Sequence, residues 1–309
     1  MSGPNHICHV SDLDREACPH CQPEPAAPAP EPAAPSEPGL YAGVPEAVYH
    51  GDRRSLSSSG ARRLLEVTPH RWRWEQDHPR PASDEMEWGS AVHTLVLGAG
   101  PPPVDTGFDR WQSGEAKKRV AQIRAAGGIP MKPKDFARAR AAADRVRAHP
   151  VVADVLSDGQ PELSAYARDP ETGVMMRARL DWLRFITPTS VLVADLKTSS
   201  KPGPVEWAWS AADFGYFAQG PYYTDVLAAL PTPIEVVTWL WIVVCSDPPH
   251  EVWVSEMPAA AFDLGRCRNR RALDRYAECV RTGTWPTHMD GIYLTDLPEK
   301  TYRREEYLL

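Results

Sequence analysis

Residues 179–197, RLDWLRFITPTSVLVADLK, decide how this chain is read. The first part closes an alternating run, MMRARLDWLRF, and the second is a β-branched run, SVLVADLK. Two such runs joined by a short turn containing Pro188 predict a β-hairpin. Side chains two apart share a strand face, so Asp195 and Lys197 point one way and Leu196 points into the opposite layer. Pairing with the preceding strand brings Asp181 alongside them. Two carboxylates and an ammonium in that arrangement suit metal-dependent phosphodiester cleavage. A solvated strand end is the ordinary reading of a D-x-K triplet. Here the charges sit in a run that should be buried, where an unpaired charge costs several kcal/mol.

Working outward, residues 161–168 and 174–186 read as strands around the turn DPETG. Upstream, Ser57–Ser59 offer an N-cap for a helix GARRLLEV that stops near Thr68–Pro69. A second helix runs from about Glu85 to Leu97, and two basic, alanine-rich helices cover 114–126 and 134–148. Downstream, a helix is expected from about Ala212 to Leu230. A buried strand at Ile234–Cys245, another at Glu251–Glu256 and a long helix from about Ala259 to Arg281 follow. Helices flanking a short mixed sheet make the fold class α/β.

Residues 22–39, QPEPAAPAPEPAAPSEPG, form a Pro/Ala-rich linker that cannot pack a core. It divides a Cys/His segment (1–21) from the main domain (40–309). Cys8, Cys18 and Cys21 with His6, His9 or His20 offer ligands for a small zinc knuckle, against a tail with incidental thiols. No run reaches the 18 apolar residues of a membrane span, and no secretory leader is evident, so a cytoplasmic protein is expected. The net charge is −7, of which the region before Leu40 contributes −5, leaving −2 for the remainder. A near-neutral body engages DNA through local patches, so charge neither supports nor excludes a nuclease. No phosphate-binding G-x-x-x-x-G-K-[ST] loop is present, so no use of ATP is expected.

Five segments in order carry a family resemblance: Tyr49 with LSSSGARRLL and TPHRW, WGSAVHTLVLG, PELSAYARDPETGVMMRARLDWL, VADLKTSS, and FGYFAQGPYYTDVL. Together they resemble the RecE-like (exonuclease VIII) branch of the PD-(D/E)XK nuclease superfamily, related to RecB-type nucleases and more distantly to lambda exonuclease. The resemblance covers 49 to about 227, with weaker similarity to roughly 285. It implies a restriction-endonuclease-like core and a Mg²⁺-dependent exodeoxyribonuclease, with Mn²⁺ able to substitute, acting on linear duplex DNA. It further implies 5′→3′ resection, 3′ tails for a RecT-like annealing partner, a homo-oligomeric ring, and a phage or prophage gene in a bacterial host. Two rivals stand beside it: a structure-specific or single-strand nuclease of the same fold in repair or CRISPR adaptation, and a non-catalytic DNA-end-binding protein. Iron–sulfur relatives group three cysteines near the end. Cys245, Cys267 and Cys279 are too widely spaced for that, so no cluster is expected.

The expected metal ligands are His93, Glu162, Asp181 and Asp195, with His93 and Glu162 carried by the resemblance. A lone His on an apolar face is otherwise a core residue, and Glu162 otherwise a solvated strand start. Lys197 is assigned electrostatic stabilisation first and general base second. Gln219 and Tyr223, four apart and on one helical face, match the Q-x-x-x-Y motif and complete the catalytic set. Ser57 and Ser59 at a helix start, with Arg53, Arg54 and Arg62, form a candidate 5′-phosphate cradle. Thr198 and Lys201 are candidate phosphate contacts; the tryptophans read as core and helix packing, with Trp72, Trp74 or Trp111 as alternatives for stacking on a frayed end.

Overall fold

A computed structural model describes residues 33–79, 81–288 and 291–308. The Cys/His segment, with His6, Cys8, Cys18 and Cys21, lies outside the described residues. The strands are β1 (Gly39–Tyr41), β2 (Ser55–Ser57), β3 (Pro103–Asp105), β4 (Ile129–Met131), β5 (Gln160–Arg168), β6 (Met175–Thr187), β7 (Ser190–Ser199), β8 (Val236–Cys245) and β9 (Val252–Ser255). The helices are α1 (Glu46–Gly51), α2 (Ser58–Glu66), α3 (Pro69–Asp77), α4 (Asp84–Leu97), α5 (Gly114–Ala125), α6 (Pro133–Ala148), α7 (Pro150–Val155), α8 (Pro204–Asp213), α9 (Tyr216–Ala228), α10 (Ala259–Thr282) and α11 (Glu299–Glu305). No described helix is long and apolar enough to cross a membrane.

The expected hairpin is β6–β7, and it forms the middle of a mixed sheet ordered β1-β5-β6-β7-β8-β9, with β2 added parallel to β6. β5, β6 and β7 run antiparallel, β7 and β8 parallel, and β9 antiparallel at the edge. Alternation along β7 fills two cores. Val191 and Val193 pack with residues of α2, α8, α9 and α10, whereas Ala194 and Leu196 pack with residues of α4, α6 and α7. Helices therefore cover both faces, as the pattern predicted. The segment 212–230 departs from expectation. Instead of one helix, α8 ends at Asp213 and α9 begins at Tyr216, because Gly215 turns the chain with φ +69°. TPHRW, where the preceding helix was expected to stop, opens α3: Thr68 Oγ1 caps Arg71 N–H at 3.2 Å and Pro69 occupies the first turn, where its missing N–H costs nothing.

The DPETG turn is tied to α10 by Arg270, whose guanidinium donates to both Asp169 oxygens at 2.9 Å. Asp169 is buried and also accepts from the Thr172 N–H and hydroxyl. Arg270→Ala strands that carboxylate and is expected to cost about 2–4 kcal/mol in urea unfolding, with Lys a poor replacement for the planar fork.

Candidate active site

Three acids meet at one level of the sheet because of strand register. β5 pairs with β6 through Pro161–Trp182 and Leu163–Leu180, and β6 with β7 through Trp182–Ala194. The same registers put Glu162 opposite Asp181 and Asp181 opposite Asp195, yet neither position forms a ladder pair. The sheet opens there. Glu162 takes φ +53°, a left-handed conformation that costs a non-glycine residue roughly 1–2 kcal/mol. Asp181 Oδ2 accepts the Leu196 N–H at 2.8 Å. On α4, His93 Nδ1 lies 3.4 Å from Asp181 Oδ2. Gly89 lets that helix approach β7, since a Cβ there would stand 3.2 Å from Thr198 Oγ1. His93, Glu162 and Asp181 each offer one ligand atom, all within 4.8 Å of one another.

Asp195 engages a second set of partners. Its Oδ1 accepts from Gln219 Nε2 at 2.7 Å, and its Oδ2 is ion-paired with Lys197. Lys197 Nζ lies 4.9 Å from the centre of the Tyr216 ring. Tyr223, one turn beyond Gln219, packs edge-on against Trp239 with centroids 5.5 Å apart. α9 thus lays Tyr216, Gln219 and Tyr223 over the acid strand.

The electrostatics follow from burial. Desolvation pushes the Glu162 carboxyl up to about 7, with Asp181 adding to the rise and Arg179 opposing it. Asp195 is lifted by burial to about 6, against the pull of Lys197 and with Asp181 contributing. Asp181 is raised by burial too. Burial, then the neighbouring Lys197, hold His93 down at about 4, which leaves the imidazole neutral with a free lone pair near pH 7. Burial alone would lower Lys197, but Asp195 and Asp181 more than offset it and hold the ammonium at about 12. Lys197 is therefore a fixed positive charge in this arrangement. A neutral imidazole and two converging carboxylates, reluctant to ionise without a cation, fit a divalent metal.

Residues 57–297 match the family described as a PDDEXK-like domain of unknown function (DUF3799). The chain belongs to this family. Among solved structures it is similar to a protein from Eubacterium rectale described as a candidate exonuclease, at 12% identity and TM-score 0.55, over 81% of this chain and 92% of that one. An alkaline exonuclease from Laribacter hongkongensis matches at 11% identity over 64% of this chain and 96% of that one, with a TM-score of 0.23. No curated protein matches the sequence. The superfamily and the fold expected from the sequence are therefore shown.

Around the acids of this PDDEXK-like chain opens a cleft of about 350 Å³, lined by Glu162, Asp181, Gln219 and Tyr223 together with Ser57, Ser59 and Arg62. Ser57 caps α2, its hydroxyl accepting Gly60 N–H at 3.1 Å, 3.2 Å from the Ser59 hydroxyl. Arg62 donates to the Phe214 carbonyl and lies 3.6 Å from Glu66. Arg53 and Arg54 do not line the cleft; they lie 4.0 Å from Asp77 and 3.6 Å from Asp52. Thr198 faces Gly89, and Lys201 N–H caps back to the Ser199 hydroxyl at 3.0 Å. Trp72 packs in the core rather than on a DNA end: it is buried and stacked on Trp285 at 5.4 Å. Trp111 lies under Lys132, and Trp74 is stacked on His78.

Sequence reasoning gave no site role to several cleft residues, Tyr216 and Arg179 among them. Tyr216 lies three positions before Gln219, a helical spacing that places it on the same face. Arg179 borders Glu162 at 3.9 Å while donating to the Ser164 hydroxyl and the Val44 carbonyl. Its spacing of two from Asp181 on one strand was the available signal. Glu162→Gly removes both a strained backbone and a half-buried acid. It is expected to raise the melting temperature in EDTA by about 2–4 °C while weakening Mn²⁺ binding, as read by thermal unfolding and metal titration.

Proposed function

We propose that the protein is a divalent-metal-dependent exodeoxyribonuclease acting on linear duplex DNA. The observation that carries this is the alignment of Glu162, Asp181 and Asp195 at one opened level of the sheet, with Lys197 beside them. His93, Glu162 and Asp181 would hold the metal, with Asp195 as a further carboxylate. A bound Mg²⁺ or Mn²⁺ would supply Lewis acidity and activate water toward a phosphodiester. Lys197 provides positive charge for the phosphate as charge builds on it. Gln219 holds Asp195 in orientation, and Tyr216 holds the Lys197 side chain over the site. Leu196 N–H fixes one Asp181 oxygen, the one beside His93. Ser57, Ser59 and Arg62 at the start of α2 suit a terminal 5′-phosphate. Polarity 5′→3′, delivery of 3′ tails to a RecT-like annealing protein in phage-type recombination, and a closed ring around DNA are parts of the proposal that rest on resemblance.

The test uses linear duplex DNA labelled at either the 5′ or the 3′ end, beside a covalently closed circle, in Mg²⁺ or EDTA. Mg²⁺-dependent release of nucleotides from the 5′ end, absent on the circle, is the expected result. Cutting of the circle would move the assignment to a structure-specific endonuclease. Binding without cleavage under any divalent metal would leave a DNA-end-binding protein.

A further inference from the structure

We infer that the corner between α8 and α9 is a base-stacking platform, with Phe214 receiving an unstacked nucleobase of the strand whose phosphate lies at the acid cluster. The inference rests on the nucleolytic reading above and narrows its substrate to a single-stranded or frayed terminus.

Phe214 is 55% exposed although it lines the cleft. A ring of that size would gain about 1.5–3 kcal/mol from full burial, and the described residues leave more than half of it open to solvent. The corner is seated firmly. Arg62 donates to the Phe214 carbonyl, and its stem lies against Gly215, where a Cβ would stand 2.9 Å from Arg62 Cδ. The Phe214 ring is 5.8 Å from Tyr216 at 30°, and Tyr216 in turn covers Lys197. Aromatic faces therefore step from the ammonium beside Asp195 outward to solvent. A base inside a duplex offers only its edges to a protein, because both of its faces are stacked. Only a terminal or single-stranded base can present a face to Phe214. Trp209 is more exposed, at 73%, but does not line the cleft, and so serves as a comparison.

The experiment places 2-aminopurine at the terminal position of a single strand and of a duplex, and titrates protein in EDTA so that binding is read without cleavage. Wild type and Phe214→Trp are expected to perturb the probe fluorescence in the same sense. Phe214→Leu is expected to lose that signal and to bind single strands about 5- to 100-fold more weakly, with Trp209→Ala close to wild type. Equal fluorescence change and affinity in Phe214→Leu, or an equal loss in Trp209→Ala, would overturn the platform. Cleavage by wild type is measured alongside with Mg²⁺. A wild type that cleaves nothing removes the nuclease reading, while the platform is still decided by the metal-free fluorescence.

Discussion

Lys197→Ala is expected to lower the single-turnover rate of DNA cleavage by about 10²–10³-fold and to destabilise the fold at the same time. The two effects have different origins. The rate falls because the ammonium is the fixed positive charge beside Asp195, held charged at about 12 by the acids around it. Stability falls because Asp195 is 2% exposed and, among the described residues, would keep only Gln219 as a hydrogen-bond partner. Breaking a buried pair costs on the order of 3–5 kcal/mol, reduced here to the extent that Asp195 takes up a proton. A double variant, Lys197→Ala with Asp195→Asn, separates the effects. Urea unfolding should recover most of the lost stability, whereas activity should stay lost. Recovery of cleavage in the double variant would remove Lys197 from the chemistry.

The second large effect concerns metal and pH. Glu162 and Asp195 have folded values of about 7 and about 6, above the ordinary carboxylate range. The fold therefore binds more protons than the unfolded chain between about pH 4 and 7, and the carboxylates' contribution to stability is lost as pH rises through that window. His93, lowered to about 4, works in the opposite sense and contributes stability as pH rises toward 6.5. His50 is lowered too, and the histidine effect fades through pH 7 while Glu162 is still releasing its proton, so the metal-free protein should lose stability from about pH 7 to 8. A divalent ion should reverse this. At one hundred times its dissociation constant it adds about 2.7 kcal/mol. Its affinity should weaken by up to about tenfold per pH unit below 7, because Glu162 must release a proton to bind it. Thermal unfolding in EDTA and in Mn²⁺ across pH 5.5–8 gives both slopes. A metal shift that did not grow with pH would argue against Glu162 as a ligand.

The hairpin was legible because β-strand periodicity is local: alternation in 179–197 already separates Asp195 and Lys197 from Leu196. The α2, α4, α6 and α10 helices were legible from caps and apolar spacing. What the sequence concealed was non-local. The level shared by Glu162, Asp181 and Asp195 depends on two registers that no short window contains, and β2 is only three residues long. His93 could be singled out only by resemblance, because its approach to Asp181 depends on how α4 docks on β7. The break at Phe214–Gly215 was missed because the apolar run around it reads as one continuous helix. A single glycine inside such a run is ambiguous between a helix interior and a corner.

The turn between β6 and β7 is two residues long, Pro188 and Thr189, and it behaves as a ruler for the whole centre. Side chains alternate with a period of two, so the turn length dictates which layer the second strand's acid occupies. One inserted residue that slipped the register would present Ala194 where Asp195 stands and carry Asp195 into the place of Leu196, the apolar layer beneath α4. Two inserted residues would restore the layer but move the acid one step off the shared level. Length variation at this surface turn, harmless in most hairpins, is therefore expected to be forbidden here. The site is guarded as much by the spacing between its strands as by the identity of its acids.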